Sequence, residues 1–201
     1  MKKTLLIYFC MLCFLSHAQA FTEKALQQSV LQINTAKTAN DYDNLFKKFS
    51  ESKTSEKWQA YYYAAVALYL KTELQLKTTS AQSLAGTNAL ARKWATGAWS
   101  SQQDNAEANT LLGLLYFQKI QINAQDAQKD SDVISQTIAK AEASSPNNPR
   151  LTILKARVKE KSGDKANAEI LYEKALSELE NEKSSEGIAP TWGRQLIQST
   201  K

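Results

Sequence analysis

From Trp58 onward, apolar residues fall three and four positions apart with polar residues between them, the spacing of helices that bury one face. Trp58, Tyr61, Tyr62, Ala65, Leu68 and Tyr69 form the first such stripe, with Thr54 or Ser55 available as its N-cap. Leu90, Ala91, Trp94, Ala95 and Ala98 form a second. Asp104 and Glu107 then stand in the Asp-x-x-Glu spacing that predicts a capped start for a third helix, with Leu111, Leu112, Leu115, Tyr116 and Ile120 facing inward. Val133, Ile134, Ile138 and Ala141 mark a fourth, which the Ser-Pro-Asn-Asn-Pro-Arg string at 145–150 must end. Leu151, Leu154 and Val158 open a fifth, and Ser162-Gly163-Asp164 turns the chain into a sixth face of Ala168, Leu171, Tyr172, Ala175, Leu176 and Leu179. Upstream, Leu26 to Ile33 and Tyr42 to Phe49 predict an opening pair within 21–53. Pro190 is expected to start a short closing helix that carries Trp192 and Leu196. The fold class is therefore all-α, with antiparallel helical hairpins stacked as a short α-solenoid over 54–201.

The segment before this array follows a different logic. Lys2 and Lys3, the apolar run from Leu5 to Leu15, and Ala18-Gln19-Ala20 are the three parts of a secretory signal peptide, so residues 1–20 are expected to be cleaved before Phe21. The run is shorter than the roughly 20 apolar residues of a bilayer crossing. A lipid anchor on Cys10 or Cys13 would need a small preceding residue, and Phe9 and Leu12 stand there. Cleavage predicts an exported chain, periplasmic or secreted, with no transmembrane anchor. It also removes Met1, Met11, Cys10, Cys13 and His17, which are all the methionine, cysteine and histidine of the sequence. Residues 21–201 thus have no thiolate nucleophile, imidazole base, disulfide or Cys/His metal site, and no cofactor is expected. The net charge falls from +5 to +3, and acids and bases are interspersed, as in Lys155 to Lys165. No basic block suggests nucleic acid, and no Gly-rich phosphate loop is present. Glu56, Glu107, Glu160, Glu173 and Glu178 are expected at helix starts or on solvent faces.

Several positions resemble the tetratricopeptide (TPR) repeat. With Trp58 at the fourth repeat position, Tyr61 and Tyr62 take the seventh and eighth. Leu112, Gly113 and Tyr116 give the Leu-Gly-x-x-Tyr signature, and Ala168, Tyr172 and Ala175 take the twentieth, twenty-fourth and twenty-seventh. Ala141 and Pro146 fit the twenty-seventh and thirty-second. The second hairpin carries about nine residues beyond the usual 34-residue unit, near Gln121 to Asp132, and the third has Thr152 and Lys155 where large residues are expected. NPR at 148–150, the Gly163 to Leu176 stretch and the closing Ala-Pro-Thr-Trp-Gly-Arg-Gln-Leu-Ile are also similar to small exported bacterial TPR-like proteins ending in a Pro-x-Trp-Gly helix. That resemblance implies architecture and export.

In the TPR register, the first helix of each hairpin lines a concave surface. Glu56, Gln59, Tyr63 and Val66 would lie beside Glu107, Thr110, Leu114 and Phe117, with Arg150, Ile153, Arg157 and Glu160 continuing the row. Tyr63 stands about 100° round from Tyr62 and so is expected off the buried stripe. The candidate partner-binding groove is thus Gln59, Tyr63, Val66, Thr110, Leu114, Phe117, Arg150, Ile153 and Arg157, suited to an extended or helical peptide. Gln59 and Tyr63 replace the clamp that holds a terminal carboxylate in chaperone-adaptor TPR domains. The function expected is a non-enzymatic protein-interaction scaffold with a protein or peptide partner. The alternatives are a structural subunit that assembles through the helix around Trp192, and a hydrolase or lyase using Asp, Glu, Lys or Tyr. A filled groove, with the N-terminal pair folded into it, is the competing arrangement.

Overall fold

The computed structural model describes residues 24–55, 57–182 and 192–198, so residues 1–20, expected as a signal peptide, Glu56 and Pro190 lie outside the described residues. The described residues form helices α1 (Lys24–Gln32), α2 (Ala39–Ser50), α3 (Lys57–Gln75), α4 (Ala81–Ser100), α5 (Ala106–Ile122), α6 (Ala127–Ser144), α7 (Pro149–Lys161), α8 (Lys165–Glu182) and α9 (Arg194–Gln198). Helices α3/α4, α5/α6 and α7/α8 pack as consecutive pairs, α2 lies on α3, and α5 touches α4, α6, α7 and α3. The fold is an all-α array of antiparallel helical hairpins, as its periodicity predicts.

Helix ends follow local chemistry. Thr38 and Asp41 close a capping box on α2. Asn148 accepts from the Arg150 and Leu151 amides at the start of α7, with Pro149 placed where its missing N–H costs nothing. Gly163, at φ +87°, makes the left-handed turn from α7 into α8. The expected Asp104/Glu107 box does not form. Asn105 caps α5 by accepting from the Ala108 amide, which leaves Glu107 free to turn inward. The extra residues of the second hairpin appear as longer helices, whose tip Lys119 ties down by ion pairs to Asp126 and Asp130.

Helix α5 is buried on nearly all sides, which explains why its residues do not split into two faces. Gly113 permits this crowding. A Cβ there would stand 2.5 Å from Leu154 Cδ2 and 2.7 Å from Thr137 Oγ1, so α5, α6 and α7 meet where the sequence provides no side chain. Tyr61 packs on Gly97 and edge-on to Trp94, yet stays 37% exposed. Leu90, expected inside, is exposed.

Candidate functional site

Helices α3, α5 and α7 lie side by side and bring the nine predicted groove residues into one row. None of them is open to a partner. Gln59, Tyr63, Val66, Thr110, Leu114, Phe117, Arg150, Ile153 and Arg157 are all buried. The expectation of an open peptide groove is corrected: the chain fills that surface with its own segments. Phe49 of α2 stacks on Tyr63 at 5.7 Å. Trp192, 1% exposed, lies against Tyr62 and Tyr69. The Trp192 surface expected for outside assembly is therefore spent within the chain. Among the row, Gln59 Oε1 and Thr110 Oγ1 have no hydrogen-bond partner among the described residues.

Glu107 and Arg150 organise the upper half of this surface, 43 residues apart in sequence. Arg150 Nε donates to both Glu107 oxygens at 2.9 Å, Nη2 donates to Glu182 at 2.6 Å, and Nη1 donates to the Trp192 carbonyl at 3.0 Å. Glu107 also accepts from the Tyr62 hydroxyl and the Asn148 amide, and Tyr62 accepts the Trp192 indole N–H at 3.1 Å. Glu107 stands in the first turn of α5, at a helix start as expected, but buried there, and Glu178 accepts from Thr152 at 2.7 Å. Burial pushes the Tyr62 and Tyr63 phenols upward, and nearby Glu107 adds to it. Burial also raises the Glu182 carboxyl, against the opposing pull of Arg150. Every charge here faces an opposite charge or a donor, as buried charges must.

A second network crosses lower down. Arg157 donates to the Tyr69 hydroxyl at 2.9 Å and to Glu73 at 2.8 Å. Gln118 donates to Glu73 at 2.7 Å and to the Tyr69 carbonyl, and itself accepts from Asn88 of α4. Below it, the last turns of α3, α5 and α7 leave a cleft of about 490 Å³, within the roughly 300–1,000 Å³ of small-molecule sites. Its walls are Glu73 from α3 and Leu76 and Lys77 just beyond its end, Phe117 and Gln121 from α5, and Arg157, Glu160 and Lys161 from α7. Of the predicted groove residues, Phe117 and Arg157 border it. Sequence reasoning missed Leu76, Lys77 and Lys161. They sit at and beyond the ends of helices, outside the repeat positions that line a TPR groove.

Three helix C-termini converge here, and their carbonyl ends carry partial negative charge. Lys77, Arg157 and Lys161 offset it. The carboxylates are occupied, Glu73 by Arg157 and Gln118, and Glu160 by the Tyr172 hydroxyl at 2.9 Å. Burial pushes the Tyr69 and Tyr172 phenols upward, so both stay protonated. The cleft thus combines Leu76 and Phe117 with the exposed side chains of Lys77 and Lys161.

No family model and no curated protein matches the chain. A solved structure, the HusA haemophore from Porphyromonas gingivalis, aligns over 93% of this chain and 96% of its own, with a TM-score of 0.67 and 23% sequence identity. That likeness shows a shared fold. Among the described residues, no helix is long and apolar enough to cross a membrane, and no group of three His, Cys, Asp or Glu residues could hold a metal ion.

Proposed function

We propose that this is an exported, non-enzymatic binding protein of TPR-like architecture whose ligand is a flat, carboxylate-bearing amphiphile of the haem type. The single observation that carries the reading is the cleft between the last turns of α3, α5 and α7, which pairs Leu76 and Phe117 with Lys77 and Lys161. The fold shared with a haemophore supports the same ligand class. Residues 21–201 contain no histidine, cysteine or methionine, so iron has no imidazole, thiolate or thioether to bind. The porphyrin faces would rest on apolar side chains, and the propionates would meet ammonium groups.

Titration of residues 21–201 with haemin and with iron-free protoporphyrin IX, read by porphyrin absorbance and quenching of tryptophan fluorescence, tests this. Saturable one-to-one binding of both porphyrins is expected, weakened by the double substitution Lys77→Glu/Lys161→Glu at the exposed rim. Absence of saturable binding overturns the reading. Binding that ignores the double substitution removes the ligand from this cleft.

A further inference from the structure

Arg150 and Arg157 stand seven positions apart, about two turns, so both lie on one face of α7. Each side chain is buried, with 1% and 6% of it exposed, and each guanidinium offers five N–H donors in a fixed fork. They differ in what the fork holds. Arg150 joins two carboxylates, Glu107 and Glu182, and the Trp192 carbonyl. Arg157 joins one carboxylate, Glu73, and the Tyr69 hydroxyl, and the rest of its fork has no partner among the described residues. Glu160, the other acid of the cleft wall, bonds to Tyr172 and not to Arg157. Arg157 is itself a wall of the cleft. A buried cation with unused donors thus borders the one cavity that pairs apolar side chains with exposed lysines.

We propose that Arg157 is the specificity-determining residue of the cleft: it takes one carboxylate of the ligand as its second acid, as Arg150 takes Glu182, while Lys161 takes another. This rests on the reading of the cleft as the site of a carboxylate-bearing amphiphile. Lys161 follows Arg157 by four residues, one turn further along the same face of α7, where neighbouring Cβ atoms stand about 5–6 Å apart. Two cations one turn apart match two acids on one edge of a flat body, the arrangement of the porphyrin propionates. The ligand class narrows accordingly, from any acidic amphiphile to one with paired acids. The two cations are unequal. Tyr69 and Glu73 hold Arg157, so its fork is oriented before the ligand arrives and is shielded from bulk water, where a charge-assisted bond is strongest. Lys161 is exposed and contributes a screened point charge. Glu73 does not bar a second acid, because its oxygens already accept from Arg157 and Gln118.

Protoporphyrin IX, its monomethyl ester and its dimethyl ester carry two, one and no free acids. Their affinities for residues 21–201, read by tryptophan quenching, report the two cations separately. The unaltered chain should bind the diacid about tenfold more tightly than the monoester, the loss expected for one charge-assisted bond at a buried site. Arg157→Lys keeps a cation for Glu73 but loses the fork. It should erase the preference for diacid over monoester and keep that for monoester over diester, which Lys161 supplies. A residue that only held the helices together would weaken all three ligands alike, and that pattern overturns the proposal. Equal affinity of the unaltered chain for diacid and monoester also overturns it, leaving water to meet the fork. Saturable binding of none of the three removes the cleft reading itself, and the proposal with it. Far-UV circular dichroism and the urea midpoint check folding. Should Arg157→Lys not fold, Glu73→Gln/Arg157→Gln, which removes the buried pair from both sides, takes its place. Should neither fold, the affinity ratio of the unaltered chain decides.

Discussion

Removing Arg150 is the sharpest test of how the array is held together. Its guanidinium is fully buried and satisfies two carboxylates and one carbonyl. Arg150→Ala leaves Glu107 buried with no cation, while Glu182, with 23% of its side chain exposed, can turn to water. Breaking a buried pair from one side costs about 3–5 kcal/mol, a large share of the roughly 5–15 kcal/mol that holds a domain. With a urea slope of roughly 2 kcal/mol per molar, the unfolding midpoint should fall by roughly 2 M. Tryptophan fluorescence should move with it, because Trp192 loses its carbonyl donor and its cationic neighbour. The control is Glu107→Gln/Arg150→Ala, which removes both charges and keeps one acceptor oxygen where Glu107 offers one to Tyr62 and the other to Asn148. It should recover about 2 kcal/mol relative to the sum of the single changes. A loss below about 1 kcal/mol for Arg150→Ala, or strict additivity in the cycle, would refute the claim that this charge pair is a coupled unit.

Two further outcomes follow from geometry. Gly113→Ala should destabilise by about 1 kcal/mol, since overpacking against Leu154 and Thr137 outweighs the helix propensity gained, whereas Gly86→Ala in α4, with nothing within 4 Å, should stabilise by up to about 1 kcal/mol in thermal unfolding. Amide donation from Lys37 and Thr38 holds the Asp41 carboxyl below its ordinary value, and Asn167 with Lys159 does the same for Asp164. Their contributions are complete above the ordinary carboxylate range and fade as pH falls through the lowered values. The melting temperature of Asp41→Asn should therefore trail the parent at neutral pH and converge with it in acid.

The hairpins were legible because each is written locally. Spacings of three and four mark the faces, small residues at Gly113 and Ala168 mark close approaches, and Pro146, Pro149 and Gly163 mark turns. The site was legible as a set of positions but not as a state. Tyr63 was judged exposed by assuming one buried stripe on α3, but α2 covers the adjacent stripe with Phe49. Glu107 and Arg150 each read locally as a charge for solvent, and only the tertiary fold joins them. The Asp104/Glu107 pattern misled for the same reason: Asn105 competes equally well as a cap, and Glu107 gains more from a buried cation than from a helix end. The cleft had no repeat signature, because it forms where three helices stop.

The networks that close the concave surface also decide how the molecule comes apart. In a plain solenoid each unit touches only its neighbours, so an end can unzip while the rest stands. Here Arg157 of the third hairpin grips Tyr69 and Glu73 of the first, and Tyr62 of the first holds Trp192 of the C-terminal segment. The ends are tied across the middle. Hydrogen exchange should therefore show opening of all three hairpins at one common free energy, a single foldon where linear arrays melt in steps.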